Sequence, residues 1–139
     1  MIWTALEMGD LKRNLSWFLL GALMLGSGAL LLSLTSGFTF VSDEWDLVLL
    51  RPGWSPGTLL DPFHEHIIIA PAFIFKLLQA AFGMDSPRPM QVAAIGTFLA
   101  TGLLLFIWLR RRVGDWAALI GAAIVLFLGA AFEDLLWAF

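Results

Sequence analysis

The stretch IIIAPAFIFKLLQAAF, residues 67–82, decides how this chain is arranged, because it reads two ways. Its isoleucines, phenylalanines and leucines suit a membrane-crossing helix. Pro71, Lys76 and Gln79 do not, since each is unfavourable at mid-bilayer depth. Charge elsewhere resolves the ambiguity. Three other stretches are long and apolar, at about 17–34, 92–109 and 116–132. The first would form a helix of about 27 Å, enough to cross a hydrocarbon core. Lys12 and Arg13 precede it and favour a cytoplasmic N-terminus. If 67–82 also crossed, Arg110, Arg111 and Arg112 would fall outside. If it lies along the outer surface, they fall inside. The second arrangement puts five of the eight Lys and Arg inside and leaves Arg51, Lys76 and Arg88 outside, as the positive-inside rule prefers. Tryptophans agree: Trp17, Trp108 and Trp116 fall at the inner interface, and Trp45, Trp54 and Trp137 at the outer one.

Composition points the same way. Of 139 residues, 60% are apolar and 14% charged, against about 25% charged in a soluble domain. A soluble chain of this size could not hide so much apolar surface. Soluble enzyme, disordered tail and coiled coil are excluded. A net charge of −3 and the lack of a basic face exclude a nucleic-acid binder. Without cysteine there is neither disulfide nor thiolate chemistry. Ser33, Thr35 and Ser36 could mimic a signal-peptide cleavage site, but the apolar run exceeds the usual h-region of about 7–15 residues, so it reads as an uncleaved anchor.

The expected fold is therefore all-α and integral to a membrane: three transmembrane helices and an outer segment, 35–90, with amphipathic juxtamembrane helices. A tight turn over RRRVGD (110–115) joins the last two spans, with Asp115 as a helix cap. The chain stops at Phe139, barely past the third span, which reads as the front part of a longer multi-spanning protein.

Eight of the eleven acids fall on the outer side: Asp43, Glu44, Asp46, Asp61, Glu65, Asp85, Glu133 and Asp134, with both histidines, His64 and His66. Ser42-Asp43-Glu44-Trp45-Asp46 reads as a helix start, Ser42 capping and acids in the first turn. The same carboxylates, at a water–lipid boundary, suit a general base or a metal. Pro52 to Gly57 is turn chemistry, and Asp61-Pro62 reads as an N-cap with proline at the first helical position. His64-Glu65-His66 is not HExxH, because residues two apart do not share a helix face. It is either a polar helix entry or, completed by carboxylates such as Asp43, a site for a divalent metal. Residues 67–82 then form an interfacial helix restarting at Pro71, with Lys76 snorkelling to water and Gly83 ending it. Glu133-Asp134 marks the wet end of the third span and shares a side with the other acids. Arg51, Lys76 and Arg88 are the outer cations able to hold a phosphate.

This order resembles the N-terminal part of a GT-C fold glycosyltransferase, the superfamily of the protein O-mannosyltransferases and lipid A aminoarabinose transferases. There a first span leads to an outer loop with an acidic pair, a juxtamembrane helix and two further spans. Asp43-Glu44 matches the pair. DPFHEHIIIAPAFIFKLLQAAFG (61–83) resembles the juxtamembrane segment, with His64-Glu65-His66 where better-known members carry His-Pro. FLGAAFEDLLWAF (127–139) resembles the third-span ending. The resemblance implies transfer of a sugar from a polyprenol-phosphate donor to an acceptor on the outer side of a bacterial inner membrane. It implies Asp43 as general base with Glu44 beside it, and His64, Glu65, His66, Arg51, Glu133 and Asp134 around the substrate. It also implies that this stretch alone is inactive. Neither donor sugar nor acceptor is specified. The alternative is a non-catalytic membrane subunit or a transporter fragment. The absence of any Asp, Glu, Lys, Arg or His within the three spans weighs against transport.

Overall fold

The computed structural model describes residues 2–40, 42–51, 53–62 and 66–127, with side chains from Asn14 onward except those of Ser42 and Asp43. Its helices are α1 (Ile2–Leu34), α2 (Ser42–Leu49), α3 (Pro56–Leu60), α4 (Ile69–Phe82), α5 (Arg88–Val113) and α6 (Asp115–Leu126). Among the described residues there is no strand.

Helices α1, α5 and α6 pack together as a bundle. Leu20, Phe106, Ala118, Leu119, Ala122 and Leu126 form its buried centre, flanked by Leu23, Leu99 and Leu103. Small residues let the backbones approach, as expected where apolar packing alone holds helices together. A β-carbon added at Gly102 would stand 2.7 Å from Leu126 Cδ2, so only glycine fits there without repacking.

Two stretches, Asn14–Gly37 and Arg88–Val113, are long and apolar enough to cross a membrane, yet only 28% and 17% of their most apolar parts are buried. A soluble core helix would hide such residues; here Phe18, Leu25 and Leu104 are 74%, 77% and 65% exposed. Helix α6 is a different case. Its 12 residues amount to about 18 Å, short of a hydrocarbon core of about 30 Å. The expected third span, 116–132, is thus met only as far as Leu126, and 128–132 lie outside the described residues. The Leu126 carbonyl accepts the buried Ser27 hydroxyl at 2.7 Å, so α1 satisfies an end group of α6.

The joint between α5 and α6 differs from the expected turn. Arg110, Arg111 and Arg112 are helical, the last turn of α5, where cations suit the helix dipole. The reversal falls on Gly114 alone, at φ +84°, a conformation only glycine takes freely. Asp115 does not cap α6; it is the first helical residue. Its carboxylate accepts from Arg110 Nε at 3.2 Å and Nη2 at 3.3 Å, and from the Ser16 hydroxyl at 3.0 Å. The Arg110 guanidinium lies 4.9 Å from the Trp17 ring centre, which stands edge-on to Phe106 at 5.1 Å. Every charge in this knot has a partner.

At the opposite end of the bundle, Arg88 clasps α1 to α5. Its Nη1 donates to the Leu32 carbonyl at 3.2 Å and to Thr35 Oγ1 and Gln91 Oε1 at 3.4 Å. A cation over the last carbonyls of α1 complements that helix's dipole. On this end sits a second buried cluster, of Leu47 from α2, Ala72 and Phe75 from α4, and Met90 from α5.

Three local expectations give way. Ser55-Pro56, read as turn, is the N-cap and first position of α3, with the Ser55 hydroxyl accepting the Thr58 N–H at 3.1 Å. Asp61-Pro62, read as a helix start, follows α3 instead: Asp61 is its extended C-cap. Helix α4 begins at Ile69 rather than Ile67 and runs through Pro71 without a restart, because proline is tolerated in a first turn, where no intrahelical bond is lost. Gly83 ends α4 as expected, at φ +74°.

Candidate functional site

Helix α2 carries the acidic pair. Asp43 lies in its first turn, and nothing of its side chain is described. Glu44, also on α2, is 1% exposed and is not without a partner. Trp45 faces outward and meets Phe40 edge-on at 5.8 Å. Leu47, three residues after Glu44, turns back into the buried layer. Helix α2 therefore packs on α4 through Leu47.

Arg51 follows α2 and holds the next loop. Its Nη1 donates to the Asp61 carbonyl at 2.6 Å and its Nη2 to the Pro62 carbonyl at 2.5 Å, with the Asp61 carboxylate 3.4 Å away. That side chain is only 11% exposed. Its guanidinium fastens 61–62 to the end of α2, a use of the fork that leaves a loop, not a ligand, on most of its donors.

Lys76 departs furthest from expectation. Read as snorkelling to water, it is 4% exposed on α4. Its Nζ donates to the Arg51 carbonyl. No carboxylate among the described residues is paired with it. Burial pushes its pKa below the ordinary lysine value, and the charge of Arg51 adds to the shift. Next to it opens a hollow of about 290 Å³ lined by Trp54, Lys76, Gln79 and Ala80. Trp54 is fixed edge-on against Phe73 at 5.9 Å.

The other predicted site residues stand apart from this description. His66 is exposed, three residues ahead of α4. His64, Glu65, Glu133 and Asp134 lie outside the described residues. Among the described residues no group of three or more His, Asp or Glu could hold a metal ion. The structure thus brings together Arg51, Asp61 and Lys76, and adds Trp54 and Gln79, which sequence reading took as an interface tryptophan and a poor spanning residue and not as parts of a site. The signal for them was a lysine inside an apolar interfacial stretch, which by its cost points to a role. No family model, curated protein or solved structure matches the chain.

Proposed function

We propose that this chain is the outer-face part of a bacterial inner-membrane glycosyltransferase that takes its sugar from a polyprenol-phosphate donor. Its N-terminus is cytoplasmic, and the last helix continues outward as a third span. The observation that carries this reading is the layer on one end of the bundle. There α2, which opens with Asp43 and Glu44, packs its Leu47 with Ala72 and Phe75 of α4, and Lys76 of α4 reaches the Arg51 carbonyl just past the end of α2. From Asp43 to Leu49, the last residue of α2, is six residues, about 9 Å along the helical axis, and Arg51 follows two residues on. That span suits a displacement at the anomeric carbon. A base hydrogen-bonds the acceptor at about 3 Å, and the attacking oxygen stands about 3 Å from the carbon. The phosphate and its cation take up the remainder.

In this reaction Asp43 takes the proton of the acceptor hydroxyl. The acceptor oxygen bonds to the anomeric carbon on the face opposite the phosphate. The carbon–phosphate oxygen bond breaks, and polyprenol phosphate leaves with the electron pair. The leaving group is already a good one, so the protein chiefly supplies a base and positive charge. Glu44, buried, holds α2 in place and takes no proton.

The test uses membranes containing the full-length protein and a radiolabelled polyprenol-phosphate sugar. Transfer to an acceptor is expected, and Asp43→Asn lowers it about 10²–10⁴-fold, the usual worth of a positioned base. Equal transfer by Asp43→Asn would leave the acidic pair as no more than a helix start.

A further inference from the structure

Lys76 is a buried ammonium with three N–H donors, one of which meets the Arg51 carbonyl. The charge of Arg51, another cation, acts on it, and no carboxylate among the described residues is paired with it. An isolated buried charge is costly, and proteins keep one where a ligand of opposite charge completes it. The same side chain forms part of the wall of the hollow, beside the indole of Trp54 and the carboxamide of Gln79. Both neighbours carry N–H donors and neither carries negative charge. The wall therefore suits an oxyanion.

The surroundings specify where the anion comes from. Helix α4, which supplies three of the four wall residues, also exposes Phe73, Ile74 and Leu77, at 46%, 48% and 52%, and Phe73 meets the wall residue Trp54 edge-on. Trp54, half exposed, stands at its rim as tryptophans do at headgroup depth. A free ion would need none of this apolar surface, whereas a lipid would lay its chains along it.

We propose that this hollow binds the phosphate of an anionic membrane lipid, with Lys76 as the cation that receives it. The assignment does not depend on sugar transfer. It requires only that α4 lie at the membrane interface. A phosphomonoester, with up to two charges, binds more tightly than a diester, and a zwitterionic phosphocholine binds weakly.

The test is calorimetric titration of the purified full chain in a neutral detergent with dioctanoyl phosphatidic acid. Dioctanoyl phosphatidylcholine and inorganic phosphate serve as the two comparison arms. Saturable binding of the phosphatidic acid is expected, at least tenfold tighter than either comparison. Lys76→Gln lowers that affinity at least tenfold, and so does Gln79→Glu, which puts a carboxylate beside the ammonium. Lys76→Arg keeps it within about threefold. Ligand-free melting and circular dichroism of each variant show that it is folded, and removal of a buried charge does not lower the melting temperature. Undiminished binding by folded Lys76→Gln, or equal binding of phosphatidylcholine, overturns the assignment. Equal binding of inorganic phosphate overturns the lipid as its source.

Discussion

The two ends of the bundle treat charge in opposite ways. At the Gly114 end, Arg110, Asp115 and Ser16 close on one another and on Trp17, joining α1, α5 and α6. At the α2–α4 end, Lys76 is more deeply buried than any member of that knot except Ser16, yet it has a carbonyl for company and a second cation nearby. The first end spends its charges on cohesion, and removing a member should loosen the bundle. At the second, Lys76 has no carboxylate paired with it among the described residues, and removing its charge should relieve the fold.

The most decisive test of that contrast is all-or-none. The chain has no cysteine, so single cysteines at Ser86 and Val113, both exposed, report one end each. A membrane-impermeant thiol reagent applied to intact cells is expected to label position 86 and not 113. Labelling of both, or of 113 alone, would end the two-sided reading.

Next in size is Asp115→Ala. It leaves Arg110 and Ser16 without their carboxylate. Since a hydrogen bond to a charged group is worth about 1.5–3 kcal/mol, a loss of about 2 kcal/mol in detergent unfolding is expected. A change below about 0.5 kcal/mol would show the knot to be ornamental, at the level of an ordinary surface ion pair.

The opposite end responds in the opposite direction. The folded pKa of Lys76 lies below its unfolded value of 10.5. Between those two values the unfolded chain binds more protons than the folded one, so stability rises with pH across that window. Unfolding measured from pH 7 to pH 10.5 is expected to show this rise in the wild type and to lose it in Lys76→Met. The same slope in both proteins would mean that Lys76 is solvated after all.

Smallest is Ser27→Ala, which takes the hydroxyl from the Leu126 carbonyl. Hydrogen bonds between apolar helices average about 0.6 kcal/mol, with a maximum near 1.7. A loss within that range is expected. A neutral result would show that another group takes over the Leu126 carbonyl.

What the sequence disclosed and what it hid divide along range. Runs of apolar residues at about 17–34 and 92–109 marked two helices that the structure extends to Asn14–Gly37 and Arg88–Val113, because spanning length is a local property. Gly83 as a stop and the acidic start of α2 were also local, and both appear. Contacts made at a distance were not legible. Lys76 was read against its own helix, where water is the natural destination for an ammonium. Its acceptor is the carbonyl of Arg51, 25 residues away. Asp115 looked like a cap because a cap needs only the next three residues, while the hydroxyl it accepts from is 99 residues earlier. In the short loop helices the signals competed. Ser55-Pro56 and Asp61-Pro62 have the same cap-and-proline form, and the first begins a helix while the second ends one. Of the candidate site, the cations Arg51 and Lys76 were foreseen as such, but their division of labour, one fastening a loop and the other facing a hollow, depends on packing.

The single glycine between α5 and α6 also bears on the order in which the chain assembles as it is made. A one-residue link brings those two helices face to face as soon as Leu126 has been synthesised, with little entropy to overcome. Helix α1, made first, has to wait: residues 38–87 must be laid out before Arg88 can reach back to Leu32 and before Met90 can close the layer of α2 and α4. A hairpin thus forms last in the sequence and first in space, and the earlier helix docks onto it. Helix α1 is then without its partners for the time that about three quarters of the described chain takes to emerge, during which Ser16 and Ser27, buried in the finished fold, lack the acceptors they meet there.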